Sequence, residues 1–438
     1  MAIIQDKIIY MRYFLLLYSF LAVAMQPVIA QKSGNRALKT ELIQSIDSIL
    51  NSQVSNNLIP GAVILVKRDN KVIYKQAFGN AVLYDRNNNK LSSPEKTSID
   101  HLYDIASLTK VVGTTTSIMY LADRKMLSVD DPVGKYIKAF ESPEKKAITI
   151  RHLLTHTSGI YEWYPMYYRS SNKQQTFFLI GELPLIFPTG SERRYSDLGF
   201  TILGQIIEVV SGQSLEQFMQ EKIFEPLGMK HTTFNPLKTG RFTKIAATSF
   251  GNPYEKRMVY DSSLGFTVKE IDPASWNGWR DYILKGEAND GNAWYANGGV
   301  SGAAGLFSTI DDIQRLVDML LNKGMHQGKK FISAKTVEAF LTMDKFKNGL
   351  GWMMDPVNSF MKNGPEGTFG HTGFTGTSIA VVPKYKTSVV LLVNRQHTGL
   401  SAKGEYYNLN SVRQQIFNAV ISASDARLTY VRRASDAE

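Results

Sequence analysis

The sequence YDIASLTKVV, residues 103–112, contains the pattern from which the fold and the chemistry of this chain are predicted. Ser107 opens an apolar segment that is predicted to form one long helix as far as about Ala122. A Ser and a Lys three positions apart on a helix lie one turn apart on the same face. Free N–H groups at the start of a buried helix would stabilise negative charge on the Ser oxygen. The stretch therefore favours Ser107 as a nucleophile with Lys110 beside it.

The pairing of Ser107 with Lys110 has a structural alternative, in which the Ser caps the helix and the Lys reaches out to solvent. If Lys110 is buried instead, desolvation is expected to lower the pKa of its ammonium group and to let it act as a base. The pair alone does not separate these alternatives, since Ser-x-x-Lys also begins at Ser93, Ser142 and Ser170. Those copies lie in polar segments, and only Ser107 opens an apolar helix. The Gly-x-Ser-x-Gly elbow of α/β-hydrolases is absent.

Two later segments add groups that such a serine would need. The sequence RYSD, residues 194–197, leads directly into an amphipathic helix that is predicted to run from Asp197 to Val210. The sequence FGHTGFTG, residues 369–376, is predicted at the edge of the C-terminal strands. A Gly-rich strand edge allows the backbone of a substrate to approach closely. Together the segments favour a catalytic serine over a capping one.

The order of these motifs resembles that of the serine β-lactamase and penicillin-binding-protein superfamily. The motifs are Ser107 with Lys110, YSD at 195–197 and HTG at 371–373. The pattern is most similar to the class C β-lactamase branch, which includes esterases, D-amino-acid peptidases and peptidoglycan hydrolases. The resemblance extends over about residues 40–422. Its flanking stretches are YDIAS at 103–107, IRHLLTHTSG at 150–159, PLGM at 226–229 and GGVSG at 298–302.

The resemblance implies a mechanism and assigns its residues. Ser107 would attack an acyl carbonyl and form an acyl-enzyme, which water then hydrolyses. Lys110 and Tyr195 would remove the Ser107 proton and deliver it to the leaving group, with Tyr195 a base only if nearby positive charge favours its phenolate. The backbone N–H groups of Ser107 and Phe374 would form an oxyanion hole, worth about 2.7–4 kcal/mol per donor. No metal ion or organic cofactor is implied.

Two positions depart from the pattern of the family. Asp197 replaces an Asn that holds the substrate amide, and an ionised carboxylate cannot donate a hydrogen bond. Asp197 is expected to pair with Lys110, which would keep the Lys charged and shift the base role to Tyr195. His371 replaces a Lys and is mostly neutral at pH 7, so weak or no β-lactamase activity is expected, and Arg395 is a candidate to bind a substrate carboxylate instead. The substrate-binding residues are accordingly predicted to be Asp197, His371, Thr372, Gly373, Phe374 and Arg395.

The arrangement of strands and helices predicts the fold class. Strands near both ends of the chain, with helices and loops between them, indicate an α+β fold of the β-lactamase/transpeptidase type. Its antiparallel sheet would be built from N- and C-terminal segments and flanked by helices, with an inserted, mainly helical lobe. One hydrolase domain over 31–438 would contain a sheet lobe of about 38–105 and 340–425 and a helical lobe of about 106–339.

The individual elements are predicted from hydrophobic periodicity and turn residues. Residues 79–100 are polar and are expected to be irregular, and 161–187 and 235–297 are expected to be loop-rich insertions. The predicted strands are 61–66, 72–78, one around 368, 378–382 and 388–393, and the predicted helices are 38–53, 107–122, 152–155, 197–210, 215–223, 310–322 and 409–421.

The N-terminus is predicted to be a secretory signal peptide, residues 1–30. A basic start precedes an apolar run from Tyr13 to Met25, and Ala30 ends a small-x-small cleavage site. A membrane anchor is the alternative, but the run is shorter than the ~20 residues that span a bilayer. We therefore expect a periplasmic or secreted bacterial protein, with no stable membrane insertion after cleavage.

Composition excludes several classes of site. The 438 residues include no Cys, which rules out disulfides, thiolate zinc sites, Fe–S clusters and a Cys nucleophile. The net charge of +11 is spread along the chain and favours no nucleic-acid partner. His152 and His156 are spaced like a zinc pair, but Leu153 replaces the Glu of zincins. A structural role for these His residues, at the turn that follows, is predicted instead of a metal site.

The predicted function is that of an exported serine hydrolase acting through an acyl-enzyme on Ser107. Its substrate would be a small-molecule ester or a D-amino-acid or peptidoglycan-type amide. The alternative is a catalytically silent protein that binds cell-wall fragments. Retention of Ser107, Lys110 and Tyr195 together argues against that alternative. The oligomeric state is not predicted.

Overall fold

The computed structural model describes residues 37–435, and the predicted signal peptide lies outside them. The described chain forms two compact units, which are Leu50–Gln414 and a unit made of the residues up to Ile49 with those from Gln415 onward. The first unit contains the sheet and the cavity described below. Whether lobe boundaries lie near residues 105 and 340 stays a prediction.

The regular elements of the described residues are as follows. The strands are β1 (Gly61–Arg68), β2 (Lys71–Tyr84), β3 (Lys90–Lys96), β4 (Tyr103–Asp104), β5 (Thr233–Phe234), β6 (Ala247–Phe250), β7 (Ile283–Lys285), β8 (Leu306–Ser308), β9 (Met325–His326), β10 (Lys329–Lys330), β11 (Phe369–Thr372), β12 (Ser378–Val382) and β13 (Thr387–Val393). The helices are α1 (37–55), α2 (Thr116–Asp123), α3 (Ile150–Leu154), α4 (Lys173–Glu182), α5 (Asp197–Ser211), α6 (Leu215–Met219), α7 (Pro253–Tyr260), α8 (Ile310–Leu321), α9 (Ala334–Phe340) and α10 (Asn410–Ser435).

One antiparallel sheet joins the two ends of the chain. Its strand order is β11-β12-β13-β1-β2-β3, so the N-terminal hairpin meets the C-terminal strands where β1 pairs with β13. Both central strands are nearly continuous runs of buried apolar residues, as expected for strands covered on both faces. Helix α8 packs on them and is fixed by a Lys67–Asp318 ion pair of 2.5 Å. The predicted α+β fold with a sheet built from both termini is confirmed.

The irregular structure predicted for residues 79–100 is wrong. Strand β2 continues to Tyr84, and β3 pairs with it antiparallel from Asn80↔Lys96 to Tyr84↔Lys90. The sequence of β3 is KLSSPEK, whose charges and Pro94 are typical of an edge strand that must not pair further. Hydrophobic periodicity does not predict such a strand, because its residues do not alternate between apolar and polar.

The helix predicted over 107–122 is confirmed in extent, but part of it is not a regular α-helix. Ser107 lies in a turn, helical structure begins at Leu108, Lys110–Thr115 form a π-helical segment, and α2 continues the same run to Asp123. The Thr116 hydroxyl donates to the Val111 carbonyl oxygen at 2.8 Å, five residues back. Such side-chain bonding to the helix backbone competes with regular α-helical hydrogen bonds and is consistent with a widened turn.

Both predicted insertions contain regular structure. Helix α4 lies within 161–187, where its weak amphipathic pattern gave no signal. Strands β6 and β7 and helix α7 lie within 235–297.

No single helix among residues 37–435 is long and apolar enough to cross a bilayer. The helical segments Asp197–Ser211 and Leu215–Phe224 together have the length and composition of a membrane span, but they are bent by 77° relative to each other.

Candidate active site

The predicted site residues meet around one cavity of about 730 Å³. Lys110 and His371 lie buried behind its wall. The turn before α2, the start of α5 and the end of β11 each supply part of the lining. The predicted residues that line the cavity are Ser107, Tyr195, Asp197, Thr372, Gly373, Phe374 and Arg395.

The candidate nucleophile Ser107 contacts a buried lysine. The Lys110 ammonium group donates to Ser107 Oγ at 3.0 Å and to the Ala303 carbonyl oxygen at 2.9 Å. Its third partner is Asp197, whose Oδ1 lies 2.6 Å from Nζ. Lys110 exposes 0% of its side chain, so the alternative in which it reaches out to solvent is wrong.

The pKa of Lys110 moves in the opposite direction to the first expectation. Burial lowers it, but the negative charge of Asp197 and the phenol of Tyr195 outweigh that influence, and the net pKa is raised. Lys110 therefore remains an ammonium ion at neutral pH. This agrees with the expectation that Asp197 pairs with Lys110 and keeps it charged.

Tyr195 completes the cluster as a buried phenol. Its hydroxyl lies within hydrogen-bonding reach of both Ser107 and Lys110. Burial and the negative charge of Asp197 raise the pKa of the phenol, whereas the positive charge of Lys110 lowers it. Burial has the largest effect, and the net pKa is raised. The resting site thus holds a charged Lys110 and a neutral Tyr195, so the condition for a resting Tyr195 phenolate is not met.

Replacing Asp197 with Asn is expected to add a pH dependence that comes from the ionisation of Lys110. Without the carboxylate, burial is the largest influence on Lys110, and the pKa of its ammonium group falls. Below that pKa the variant's kcat/KM should then rise about tenfold per pH unit, whereas Lys110 in the parent protein stays charged from pH 6 to 9. A pH–rate profile of a small ester for both proteins measures this. Parallel profiles would show that Asp197 does not set the charge of Lys110.

His156 is a part of the site that the sequence analysis did not assign. Its Nδ1 accepts a hydrogen bond from the Ser196 N–H at 3.0 Å, and its ring packs on Tyr195 at 4.4 Å between centroids. Burial and nearby cations hold its pKa well below the usual range, so it is a neutral acceptor. It positions the YSD segment, whereas His152 caps its own helix through the Thr149 N–H at 3.1 Å. Both His residues are thus structural, but their ring nitrogens bond to Ser196 and Thr149 and not to the turn that follows His156, for which the role was predicted.

The turn before Ser107 is tied to the end of β11. The Thr375 hydroxyl donates to the Asp104 carbonyl oxygen at 2.7 Å, and the Thr377 hydroxyl donates to that of Ile105 at 3.1 Å. A Cβ on Gly373 would lie 2.5 Å from the Ile105 carbonyl oxygen, so only glycine permits this approach. The close contact brings the backbones of the two predicted oxyanion-hole residues together.

The backbone at the candidate nucleophile is held in a strained form. Ala106 has a φ of 46°, which is uncommon for a residue with a side chain. The Asp104 carboxylate stabilises it by accepting the Ala106 N–H at 2.8 Å. In the part of the chain that the structure describes, the N–H groups of Ser107 and Phe374 have no protein acceptor. They are therefore available to an anionic oxygen in the cavity.

His371 is neutral, as predicted. Burial and the Lys110 charge lower its pKa to about 3. Its Nδ1 lies 2.9 Å from the Thr372 carbonyl oxygen, which only accepts, so Nδ1 carries the proton. A neutral imidazole at this position supplies no positive charge for a carboxylate.

Arg395 lines the cavity but bonds mainly to backbone. Its Nε and Nη2 donate to the Phe374 carbonyl oxygen at 3.0 and 2.8 Å, and Nη1 donates to that of Tyr407 at 2.7 Å. Arg413, which the sequence analysis missed, lines the same wall, and burial and the Arg395 charge lower its pKa to about 9. Within residues 37–435 neither guanidinium pairs with a carboxylate. Binding of a substrate carboxylate by Arg395 stays a prediction.

Two acids from the 235–297 segment, Glu255 and Asp290, also line the cavity. Burial and Asp197 raise the pKa of Asp290 to about 6, and burial and Asp290 raise that of Glu255 to about 8. Glu255 Oε2 accepts the Gly291 N–H at 2.8 Å. Glu255 is therefore largely a neutral acid at pH 7. No motif marked these residues, because the segment has little periodicity.

Replacing Glu255 with Gln is expected to stabilise the protein increasingly between pH 5 and pH 8. The folded-state pKa of Glu255 is raised, so folding binds a proton and the free energy of unfolding falls as pH rises through this window. The contribution is at most a few kcal/mol. Thermal unfolding at several pH values measures this, and a difference that does not change with pH would contradict it.

Sequence comparisons identify the relatives of this chain. The profile of the Beta-lactamase family matches residues 46–414. A protein of Escherichia coli O157:H7 named "Putative D-alanyl-D-alanine carboxypeptidase" is 33% identical over 397 residues, which cover 86% of this chain and 87% of that protein. The "N-acetylmuramyl-L-alanine amidase" of Bacillus subtilis strain 168 is 30% identical over 380 residues, with 82% of each chain covered.

A solved structure shows the same fold. A class C β-lactamase superimposes with a TM-score of 0.63 at 19% identity, covering 88% of this chain and 98% of that one. At this identity the likeness concerns the fold alone. The family profile extends over most of the chain and spans every motif that surrounds the cavity. The chain therefore belongs to the β-lactamase family.

Proposed function

We propose that this protein is an exported serine hydrolase that cleaves a peptidoglycan-derived amide through an acyl-enzyme on Ser107. The observation that carries the proposal is the contact of the Ser107 hydroxyl with the buried Lys110 ammonium group at 3.0 Å. Tyr195 lies within hydrogen-bonding reach of the same pair. A hydroxyl at a cavity wall, with two proton-carrying groups beside it, is suited to acyl transfer.

The protonation states of Lys110 and Tyr195 in the resting site suggest how the proton transfers of the acylation step proceed. As Ser107 attacks the carbonyl carbon, its proton passes to Lys110 while Lys110 gives one to Asp197. The oxyanion is stabilised by the N–H groups of Ser107 and Phe374. Tyr195 gives its proton to the leaving nitrogen and regains one from Lys110, which recovers its own from Asp197. Water then attacks the ester, and the same groups return the proton to Ser107.

Two considerations favour an amide from the cell wall over a β-lactam. The names of both relatives denote amide bonds of peptidoglycan, one at D-alanyl-D-alanine and one at N-acetylmuramyl-L-alanine. In this chain, Asp197 and the neutral His371 replace the residues that would bind the amide and carboxylate of a classical β-lactam. We therefore propose that any β-lactamase activity is weak.

A substrate panel tests the proposal. Purified protein is incubated with a D-alanyl-D-alanine peptide, an N-acetylmuramyl-L-alanyl peptide, a p-nitrophenyl ester and a penicillin, and kcat/KM is measured for each. We expect one of the two amides to be the best substrate and penicillin the poorest. Turnover of the ester alone would make the protein an esterase. Binding of wall fragments without turnover would support the catalytically silent alternative.

Export is tested separately. Expression of the full chain in a bacterium, followed by N-terminal sequencing of the periplasmic fraction, should give Gln31 as the first residue. Recovery of uncleaved protein in the membrane fraction would support the anchor alternative.

A further inference from the structure

Three aromatic rings form one wall of the cavity beside the predicted oxyanion hole. The ring centroids of Tyr254 and Phe374 are 5.4 Å apart, those of Phe374 and Tyr406 are 5.8 Å apart, and those of Tyr254 and Tyr406 are 5.9 Å apart. The three residues come from helix α7, the loop after β11 and the loop before α10. We call this group the aromatic platform.

The aromatic platform is incompletely covered by the protein. Phe374 exposes 43% of its surface, and Tyr254 and Tyr406 are each partly exposed. All three line the cavity. Contact with a ligand would remove this apolar area from water, which is favourable. The same residue, Phe374, supplies both the most exposed ring and the N–H that is available to a carbonyl oxygen. The platform therefore lies beside the predicted position of the reacting acyl group.

Polar groups line the same cavity as the rings and define what the platform suits. Asn408 and Asn410 are among the lining residues, and across the described residues their side-chain NH₂ groups have no protein acceptor. The guanidinium of Arg395 lies 5.2 Å from the Phe374 ring centroid. An aliphatic acyl group would cover these polar groups without satisfying them, which is unfavourable. A sugar ring satisfies both requirements, because its C–H face packs on aromatic rings while its hydroxyl and acetamido groups form hydrogen bonds.

We propose that Tyr254, Phe374 and Tyr406 form a subsite for a sugar ring carried by the acyl group of the substrate. The inference rests on the proposed function and names its substrate class, a muramyl-type amide. In such an amide a short lactyl ether joins the sugar to the reacting carbonyl. The sugar could therefore contact the ring of Phe374 while the carbonyl oxygen accepts the N–H of the same residue. A D-alanyl-D-alanine peptide has no ring at that distance.

Two substrates that differ only in the sugar test this subsite. One is an N-acetylmuramyl-L-alanyl peptide, and the other is the matching D-lactoyl-L-alanyl peptide with the same scissile amide. We expect kcat/KM to be at least about tenfold higher for the substrate that carries the sugar. Equal values for the two substrates would overturn the proposal, while turnover of both would leave the proposed amide hydrolysis standing.

Variants of Tyr406 assign the preference to the platform. Tyr406→Ala should reduce the ratio of the two kcat/KM values to near one, whereas Tyr406→Phe keeps the ring and should preserve most of it. Phe178→Ala is the matched control, since Phe178 lies on α4, exposes 63% of its surface and does not line the cavity. An unchanged ratio in Tyr406→Ala would contradict the assignment.

A binding measurement decides the inference even if neither amide is hydrolysed. Calorimetry of N-acetylmuramic acid with the Ser107→Ala protein should show saturable binding that Tyr406→Ala weakens about tenfold. The absence of binding would overturn the sugar subsite. Binding without turnover of either amide would instead place the failure in the proposed amide hydrolysis.

Discussion

Replacing Ser107 with Ala is expected to reduce kcat by a factor of about 10⁶ and to abolish labelling by a fluorophosphonate. The hydroxyl would form the covalent bond to the acyl group, and no other group in the cluster can replace it. Lys110 keeps its contacts with Asp197 and the Ala303 carbonyl oxygen. The variant should therefore fold, and circular dichroism and thermal unfolding check this before activity is compared.

The chain offers a matched control for this experiment. Ser93 begins another Ser-x-x-Lys sequence, but it is exposed on strand β3 and does not line the cavity. Ser93→Ala should retain full activity and full labelling. Residual labelling of Ser107→Ala at the parental rate would contradict the assignment, as would loss of activity in Ser93→Ala.

Replacing Tyr195 with Phe is expected to lower kcat by about 10²–10⁴-fold. The change removes only the hydroxyl that would give a proton to the leaving group. The ring keeps its packing on His156 and His371, with centroids 4.4 and 6.0 Å away. Folding should thus be preserved. The loss should be largest for amides, because their leaving nitrogen needs a proton more than a phenolate leaving group does.

Comparison of an amide with a p-nitrophenyl ester measures this difference. Tyr136→Phe is the control, because Tyr136 donates its hydroxyl to Asp131 at 2.5 Å and does not line the cavity. We expect that control to keep its activity on both substrates. Equal losses on amide and ester in Tyr195→Phe would argue against proton delivery by the phenol.

The sheet could be predicted where apolar residues are continuous. Strand 378–382 has the bounds predicted for it, since every residue of β12 is buried. Strand β3 could not be predicted in this way, because its residues are mostly polar and backbone pairing to β2 holds it in place. Helix α4 shows a third case, because only three of its ten residues are buried and its pattern is correspondingly weak.

Motif order could predict which groups meet, but not their protonation. Ser107, Lys110 and Tyr195 come together as predicted. The charge on Lys110 depends on the balance between its burial and the carboxylate 2.6 Å away, which spacing along the chain cannot give. Asp197 at the family's Asn position was the useful signal, because it indicated a pairing that the structure contains.

Contacts between distant segments were the least predictable part of the site. His156 lies 40 residues from the Ser196 N–H that it accepts. The hydroxyl of Thr375 reaches a carbonyl 271 residues away. Short polar residues of this kind occur throughout the chain, and only the folded backbone selects the few that hold the site.

The most direct test of the account is the mass of the intact protein during turnover. Protein mixed with a p-nitrophenyl ester or an N-acetylmuramyl-L-alanyl peptide is quenched in acid within the first turnovers and analysed by mass spectrometry. We expect a mass increase equal to the acyl group, mapped by proteolysis to Ser107 and absent from Ser107→Ala. Hydrolysis without an adduct on the parent protein, or an adduct on another residue, would contradict it.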